Sequence, residues 1–343
     1  MSPLIWSLLI SSLATSTIIT MSSHHWLLAW LGLELNTLSI LPIIIKSHHP
    51  RATEATTKYF LIQITAATLI LFASTINAWQ TGHWSITHTS TPATTIIVLA
   101  IMLKLGVAPM HAWYPEVLQG STMNTALVIS TWQKLAPLTL LYLINNNLPT
   151  NIILLMGLSS ALVGGWAGLN QTQTRKLMAL SSIAHMGWLI ITTNISPQLT
   201  TMTMLIYITM TTTMFMSINM TATKTLIDMG TTWSQSPPLT ALMMVTLMSL
   251  GGLPPLTGFT PKWLILNNLC HMELILPSMI LAVASLPSLF FYIRLAYFTT
   301  LTTPPNTTNT QYKWRFKTPM TTSLTPAMTL TMMLLPLTPM LIT

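Results

Sequence analysis

Apolar runs of about twenty residues recur along the chain, separated by short stretches rich in Pro, Asn, Ser and Thr. A run of ~20 apolar residues, wound as a helix, spans the hydrocarbon core of a bilayer. Eleven are read, at 3–21, 25–45, 57–79, 93–113, 123–145, 151–170, 176–194, 200–222, 239–268, 274–298 and 321–341. The ninth is too long for one straight helix. No stretch marks a soluble domain, so the pattern predicts an all-α polytopic membrane protein of about 11 transmembrane helices. One membrane domain would occupy 1–343, with a first five-helix repeat at 1–145 and a second at 146–298. A loop and a final helix would follow at 299–343.

Composition agrees with lipid as the main solvent. Hydrophobic residues make up 51% of the chain and charged ones 5%, where a soluble domain carries ~25% charged residues. Thirteen Lys and Arg stand against five Asp and Glu, a net charge of +8. The bases are scattered, with no basic stripe interleaved with aromatics, which argues against nucleic acid as a partner. They are instead sorted by loop. Lys46, Arg51 and Lys58 lie around the loop after run 2, Arg175 and Lys176 after run 6, and Lys224 after run 8. Arg294, Lys313, Arg315 and Lys317 lie at or after the end of run 10. All ten belong to even-numbered loops, and the odd-numbered loops carry no Lys or Arg. By the positive-inside rule the even loops share the basic side with the N-terminus, and the C-terminus lies opposite. Cys270 alone supports neither a disulfide framework nor a Cys-ligated metal within the chain, and it reads as apolar filler. The first run lacks a basic leader and is read as a first spanning helix rather than a signal peptide.

Three bases are left over. Lys104, Lys134 and Lys262 lie inside apolar runs, as does Glu34 in run 2. Each charge at the bilayer centre costs ~2.5–3.5 kcal/mol on a lenient insertion scale. Snorkelling to the headgroups is an ordinary way out, but Lys104, Lys134 and Glu34 sit too deep for it; the depth of Lys262 depends on how run 9 bends. Structural ion pairing is another, but one acid cannot neutralise three bases. A buried amine without a carboxylate favours its neutral form and can exchange protons. Lys134 is expected mid-helix, with no helix break of its own. Its neighbours Ala136, Leu138 and Leu140 cannot hydrate it, so water between helices must.

Two runs are interrupted in the same way. "LKLGVAPMHAWYPE" at 103–116 and "MSLGGLPPLTGFTPK" at 248–262 share Leu-Gly-x-x-Pro, with a further proline at Pro115 and Pro261. The motif predicts breaks at Gly106 and Pro109, and at Gly251, Gly252 and Pro254. Proline removes a helix hydrogen bond and glycine weakens the helix, and such backbone survives at membrane depth only against protein or water. Corresponding breaks in two halves point to an ion site in an inverted-repeat transporter. Five helices per half is odd, so the repeat is inverted and the broken helix is the fourth of each half.

His111 and His185 also lie in or beside apolar runs. Each is either a core histidine bonded to a backbone carbonyl or a relay group. The other seven histidines lie at run ends or in loops and are expected to be solvated. "GGWAG" at 164–168 reads as a close helix contact. Trp26, Trp79 and Trp113 read as interfacial anchors. "NTT" at 306–308 matches a glycosylation acceptor of a kind that recurs by chance.

"MSPLIW", "LGLELNTLSILP", "MLKLGVAPMHAWYPEV", "WQKLAPL", "SSIAHMGW" and "LGGLPPLTGFTPKW" cover the chain from end to end. Together they resemble the antiporter-like membrane subunits of animal mitochondrial NADH–ubiquinone oxidoreductase, respiratory complex I. The resemblance implies a core membrane-arm subunit of a redox-driven proton pump in the mitochondrial inner membrane. It puts the N-terminus and basic loops in the matrix and the C-terminus on the intermembrane-space side. It implies that Glu34 pairs with Lys104, that Lys134 is the central-axis lysine, and that Lys262 is the basic residue of the second broken helix. It implies no cofactor in this chain; FMN, iron–sulfur clusters, NADH and ubiquinone are expected in other subunits. The implied partners are the neighbouring antiporter-like chains 4 and 5, chain 4L, accessory subunits, and membrane lipid with cardiolipin among the candidates. Two other readings stay open: an autonomous cation/proton antiporter, poorly served by a single embedded acid, and a purely structural scaffold subunit.

Overall fold

The computed structural model describes residues 2–46, 48–234, 236–300 and 323–342. Within a bilayer every backbone donor must be satisfied by the protein itself, in helices or closed barrels, and apolar runs of about twenty residues select helix. Among the described residues there is no strand, and two isolated bridges, His25–Ser85 and Gln173–Thr225, tie loops together. Eight of the described helical stretches are long and apolar enough to cross a membrane.

The chain divides into two compact units, Met1–Ser160 and Ala161–Thr343. The first contains α1 (Pro3–Ser22), α2 (Trp26–Ile45), α3 (Pro50–Thr81), α4 (Thr91–Leu105), α5 (Trp113–Gly120), α6 (Met123–Ser130) and α7 (Leu135–Leu143). Helix α8 (Thr150–Gly168) crosses the division. α1 packs on α2, α2 on α3, and α3 on both α4 and α5. Gly32 permits the first contact, because a Cβ there would lie 2.5 Å from Thr20 Cγ2.

α3 starts at Pro50, well before its apolar run. The His49 imidazole accepts the Arg51 N–H, and Pro50 takes a first-turn position where no N–H is needed. Lys58, at the very start of its apolar run in the sequence reading, thereby stands well inside the helix. There its amine lies 2.6 Å from Glu54 and 2.6 Å from Glu116, joining α3 to α5.

The second unit contains α9 (Thr174–Ile195), α10 (Pro197–Thr221), α11 (Leu226–Thr231), α12 (Pro237–Gly251), α13 (Phe259–His271) and α14 (Ile275–Thr300). α15 (Leu324–Met333) and α16 (Thr338–Ile342) follow. α9 is its core: 83% of its spanning window is buried, against 33% for α14. The small residues of "GGWAG" do make close contacts. Gly164 lies against the Ala184 backbone, Gly165 against Ala284 and Pro287, and Gly168 against Phe291.

Two of the three tryptophans read as interfacial anchors are core residues instead. Trp26 is 0% exposed and Trp113 5%, whereas Trp79 is 88% exposed. Trp113 opens α5 directly after the first break, where it packs edge-on against Tyr59. The basic residues Lys313, Arg315 and Lys317, the 306–308 acceptor match and Thr343 lie outside the described residues.

Candidate functional site

The fourth apolar run ends in a break that α5 follows, the ninth is two helices, and the two breaks are built alike. α4 ends on Gly106 in the left-handed region, φ 70°. The Gly106 N–H donates to Leu103 O and the Val107 N–H to Met102 O. α12 ends on Gly252, φ 82°, with Gly252 N–H to Ser249 O and Leu253 N–H to Met248 O. Both are Schellman caps, which need a residue able to take positive φ. The shared Leu-Gly-x-x-Pro motif pairs Gly106 with Gly251, but the geometry pairs Gly106 with Gly252. Gly251 keeps helical geometry as the last residue of α12.

A Schellman cap leaves the last carbonyls of the helix without backbone donors. Side chains supply them here. At the first break Gln63 Nε2 reaches Lys104 O at 3.5 Å. At the second, Lys262 Nζ donates to Gly251 O at 2.9 Å. Lys262 does this from the first turn of α13, returning across the break to the helix just left. A helix C-terminus carries partial negative charge, which suits a cation.

A third break was not anticipated. Run 5 divides into α6 and α7 around a 3-10 turn at Trp132–Lys134, with Thr131 at φ −113°, ψ −67°. Lys134 therefore sits on irregular backbone rather than in mid-helix. The cause is Pro137: it has no N–H for the Gln133 carbonyl, and its ring crowds that turn. The signal was legible, since each restarted helix carries proline at its third position: Pro115 in α5, Pro137 in α7 and Pro261 in α13.

In the first unit the break residues meet. Lys104 and Lys134, 6% and 3% exposed, line one cavity with Asn36, Gln63, Tyr114 and Gln133. It measures about 20 Å³ by the centre of a water-sized sphere, above the ~10–15 Å³ that one water needs. Lys134 Nζ stands 5.0 Å above the Tyr114 ring. Gln133 Nε2 donates to Asn36 Oδ1 at 3.0 Å, tying the 3-10 turn to α2. Lys104 Nζ is buried and has no hydrogen-bond partner among the described residues.

Glu34 does not close on it. Its carboxylate lies within Coulombic range of Lys104, yet the ion pairs formed among the described residues are those of Lys58. Glu34 instead accepts the Thr37 hydroxyl at 3.4 Å. The direct Glu34–Lys104 pair expected from the resemblance is therefore not formed in this conformation.

In the second unit Lys262 and His185 line a cavity of about 30 Å³ with Trp188, Thr203 and Tyr207. Lys262 Nζ lies 6.0 Å from the Trp188 ring, and His185 Nε2 is 3.3 Å from the Tyr292 hydroxyl. His111 is different. It lies in the turn after the first break, with Nδ1 3.2 Å from Pro109 O, and it lines neither cavity. Sequence reasoning missed Tyr114, Gln133 and Tyr292, because a polar tip on an apolar run has no charge to draw attention. Among the described residues no three of His, Cys, Asp and Glu gather within reach of one ion.

The two capped breaks beside buried lysines suit a membrane chain of the antiporter-like class, and known proteins agree with that assignment. The family model described as "NADH:quinone oxidoreductase/Mrp antiporter, TM" matches residues 23–288, and that of "NADH dehydrogenase subunit 2 C-terminus" matches 289–342. NADH-ubiquinone oxidoreductase chain 2 of Carassius auratus is 53% identical over 100% of this chain and 99% of its own. That of Polypterus ornatipinnis is 50% identical over the same shares. In fold, a chain of respiratory complex I from Thermus thermophilus superposes with a TM-score of 0.85 at 24% identity, covering 98% of this chain and 78% of that one. A chain of an archaeal membrane-bound sulfane sulfur reductase gives 0.86 at 16% identity, covering 98% and 74%. The chain belongs to the NADH-ubiquinone oxidoreductase chain 2 family.

Proposed function

We propose that the chain is a proton-translocating membrane subunit of NADH–ubiquinone oxidoreductase, in which Lys104, Lys134 and Lys262 exchange protons and Glu34 tunes Lys104. NADH oxidation and quinone reduction would take place in other subunits, which hold the FMN, iron–sulfur clusters and ubiquinone. The observation that carries the reading is the shared cavity of Lys104 and Lys134. Both lysines line one water-sized space, and the amine of Lys104 has no hydrogen-bond partner among the described residues. A scaffold would gain nothing from such a pair, because a buried polar group left unsatisfied costs stability.

The chemistry follows from the surroundings of each amine. A carboxylate drawn toward Lys104 favours its charged form, and one drawn away favours release of the proton to the cavity. Glu34, near but unpaired, is placed to do either. Moving one charge against 100 mV costs ~2.3 kcal/mol, a demand that one such rearrangement can meet. Lys262, seated on a helix C-terminus, holds its proton by the Gly251 carbonyl instead.

On this reading the chain lies in the mitochondrial inner membrane beside the other membrane-arm subunits, antiporter-like chains 4 and 5 and chain 4L among them. Its N-terminus and basic loops face the matrix. Replacing Lys104 with Met in the assembled complex should lower the number of protons moved per NADH oxidised, and Glu34→Gln should lower it in the same direction. An unchanged ratio in both variants would contradict the proposal.

A further inference from the structure

The connection between α3 and α4 holds two histidines that the proposed function does not use. His83 and His88 are both exposed, and their ring centroids lie 6.3 Å apart. Neither imidazole has a hydrogen-bond partner among the described residues. An exposed pair five residues apart would ordinarily wander, but the backbone here is held. Asn77, fully buried near the end of α3, gives one side-chain amide nitrogen to both histidine carbonyls, at 3.4 Å to His83 O and 3.0 Å to His88 O. Its Oδ1 accepts the Ser90 N–H at 2.9 Å, so one side chain gathers the loop from start to finish.

Other contacts hold the loop from outside. Asn147 Nδ2 donates to Thr87 O at 2.9 Å and reaches Thr89 Oγ1 at 3.0 Å. Trp26 N–H donates to Trp84 O, and Ile86 N–H to His24 O. Trp84 is stacked on His25, which fixes the residue next to His83. The backbone beneath both imidazoles is therefore set before any ligand arrives.

We propose that His83 and His88 form a binding site for a borderline-soft divalent cation, of which Zn2+ and Cu2+ are the fitting ions. Zinc holds an imidazole nitrogen at about 2.0–2.1 Å in a tetrahedral arrangement, so two coordinating rings have centroids roughly 5 Å apart. The 6.3 Å separation is about 1 Å wider, a difference that a change of rotamer in two exposed side chains closes. Imidazole suits Zn and Cu, whereas Ca and Mg prefer oxygen ligands. Two protein ligands leave the remaining positions to water, which makes this an exchangeable site rather than a structural one. The metal would bridge two points of the loop that ends at the Ser90 cap of α4, the first broken helix.

The test is histidine footprinting of the intact complex with diethyl pyrocarbonate, read residue by residue by mass spectrometry during a Zn2+ titration. Zn2+ should protect His83 and His88 with one common midpoint and leave exposed His271 reactive. In His83→Gln the midpoint for His88 should rise at least about tenfold, and His88→Gln should do the same to His83. Both substitutions are at exposed positions, and unchanged reactivity of His88 or His83 without Zn2+ verifies that the loop is intact. Protection of neither residue, or protection of one that survives loss of the other, would overturn the site.

Discussion

Two adjacent glycines with different duties show how finely the second break is set. Gly252 needs positive φ, and a Cβ there would lie 2.9 Å from both Cδ and Nζ of Lys262. Gly251 is helical, and a Cβ on it would meet nothing nearer than Tyr292 at 3.8 Å. Gly252→Ala should therefore cost about 1–2 kcal/mol in backbone strain alone and drive the amine off the Gly251 carbonyl. Gly251→Ala should be tolerated or should stabilise α12, since alanine favours helix by up to ~1 kcal/mol over glycine. The level of assembled complex and its protons per NADH, measured in both variants, check this. Equal damage from the two would show that the break does not depend on the left-handed residue. Gln133→Leu is a milder test of the same kind. It removes the 3.0 Å bond to Asn36 and should cost about 1–3 kcal/mol by leaving Asn36 Oδ1 unsatisfied, visible as a lowered melting temperature of the complex.

At the scale of elements, the spanning helices were legible because twenty apolar residues admit little else. Both glycine–proline breaks were legible for a related reason, since Gly106 and Gly252 occupy backbone that side chains disfavour. The break at Lys134 was not read, because "WQKLAPL" contains no glycine and one proline seems a small interruption. The restart of α3 at Pro50 escaped for the opposite reason: polar residues before an apolar run look like loop until a cap is seen. Pro137→Ala would return an N–H to the Gln133 carbonyl, and α6 should then join α7 with Lys134 drawn into regular helix. Amide exchange at Leu135–Pro137 neighbours should slow and proton transfer should fall; unchanged exchange would assign the 3-10 turn to packing alone. Outside the membrane spans, α11 rests on a capping box. The backbone N–H of Thr225, its hydroxyl and the Lys224 N–H hold the Asp228 carboxyl below its usual value. A lowered folded-state value means that this contribution is fully present above the ordinary aspartate range and is lost as pH falls through the lowered one. Protection of the Leu226–Thr231 amides, corrected for the intrinsic exchange rate at each pH, should fall under acid, and Thr225→Ala, costing ~0.5–2 kcal/mol as a lost N-cap, should give the lower protection already at neutral pH.

Across the whole chain, the sorting of lysine and arginine among loops makes a prediction about sides. A cysteine placed in the 171–173 loop should be labelled from the basic side, and one in the 82–90 loop from the other. Labelling of both from one side would overturn the span order. The carboxylate partner of Lys104 was the least legible part of the site. Glu34 stands out in sequence as an acid inside an apolar run, but how near it comes to Lys104 depends on packing among α2, α3 and α4, which residue spacing does not encode. The central claim is that a titratable amine at Lys134 carries protons, and replacing it tests this most directly. Lys134→Met keeps roughly the same volume without a titratable group, and Lys134→Arg keeps a charge that does not leave at any relevant pH. Protons pumped per NADH oxidised should fall in both variants while the complex still assembles. Normal pumping in Lys134→Met, or full function in Lys134→Arg with failed assembly in Lys134→Met, would contradict the account.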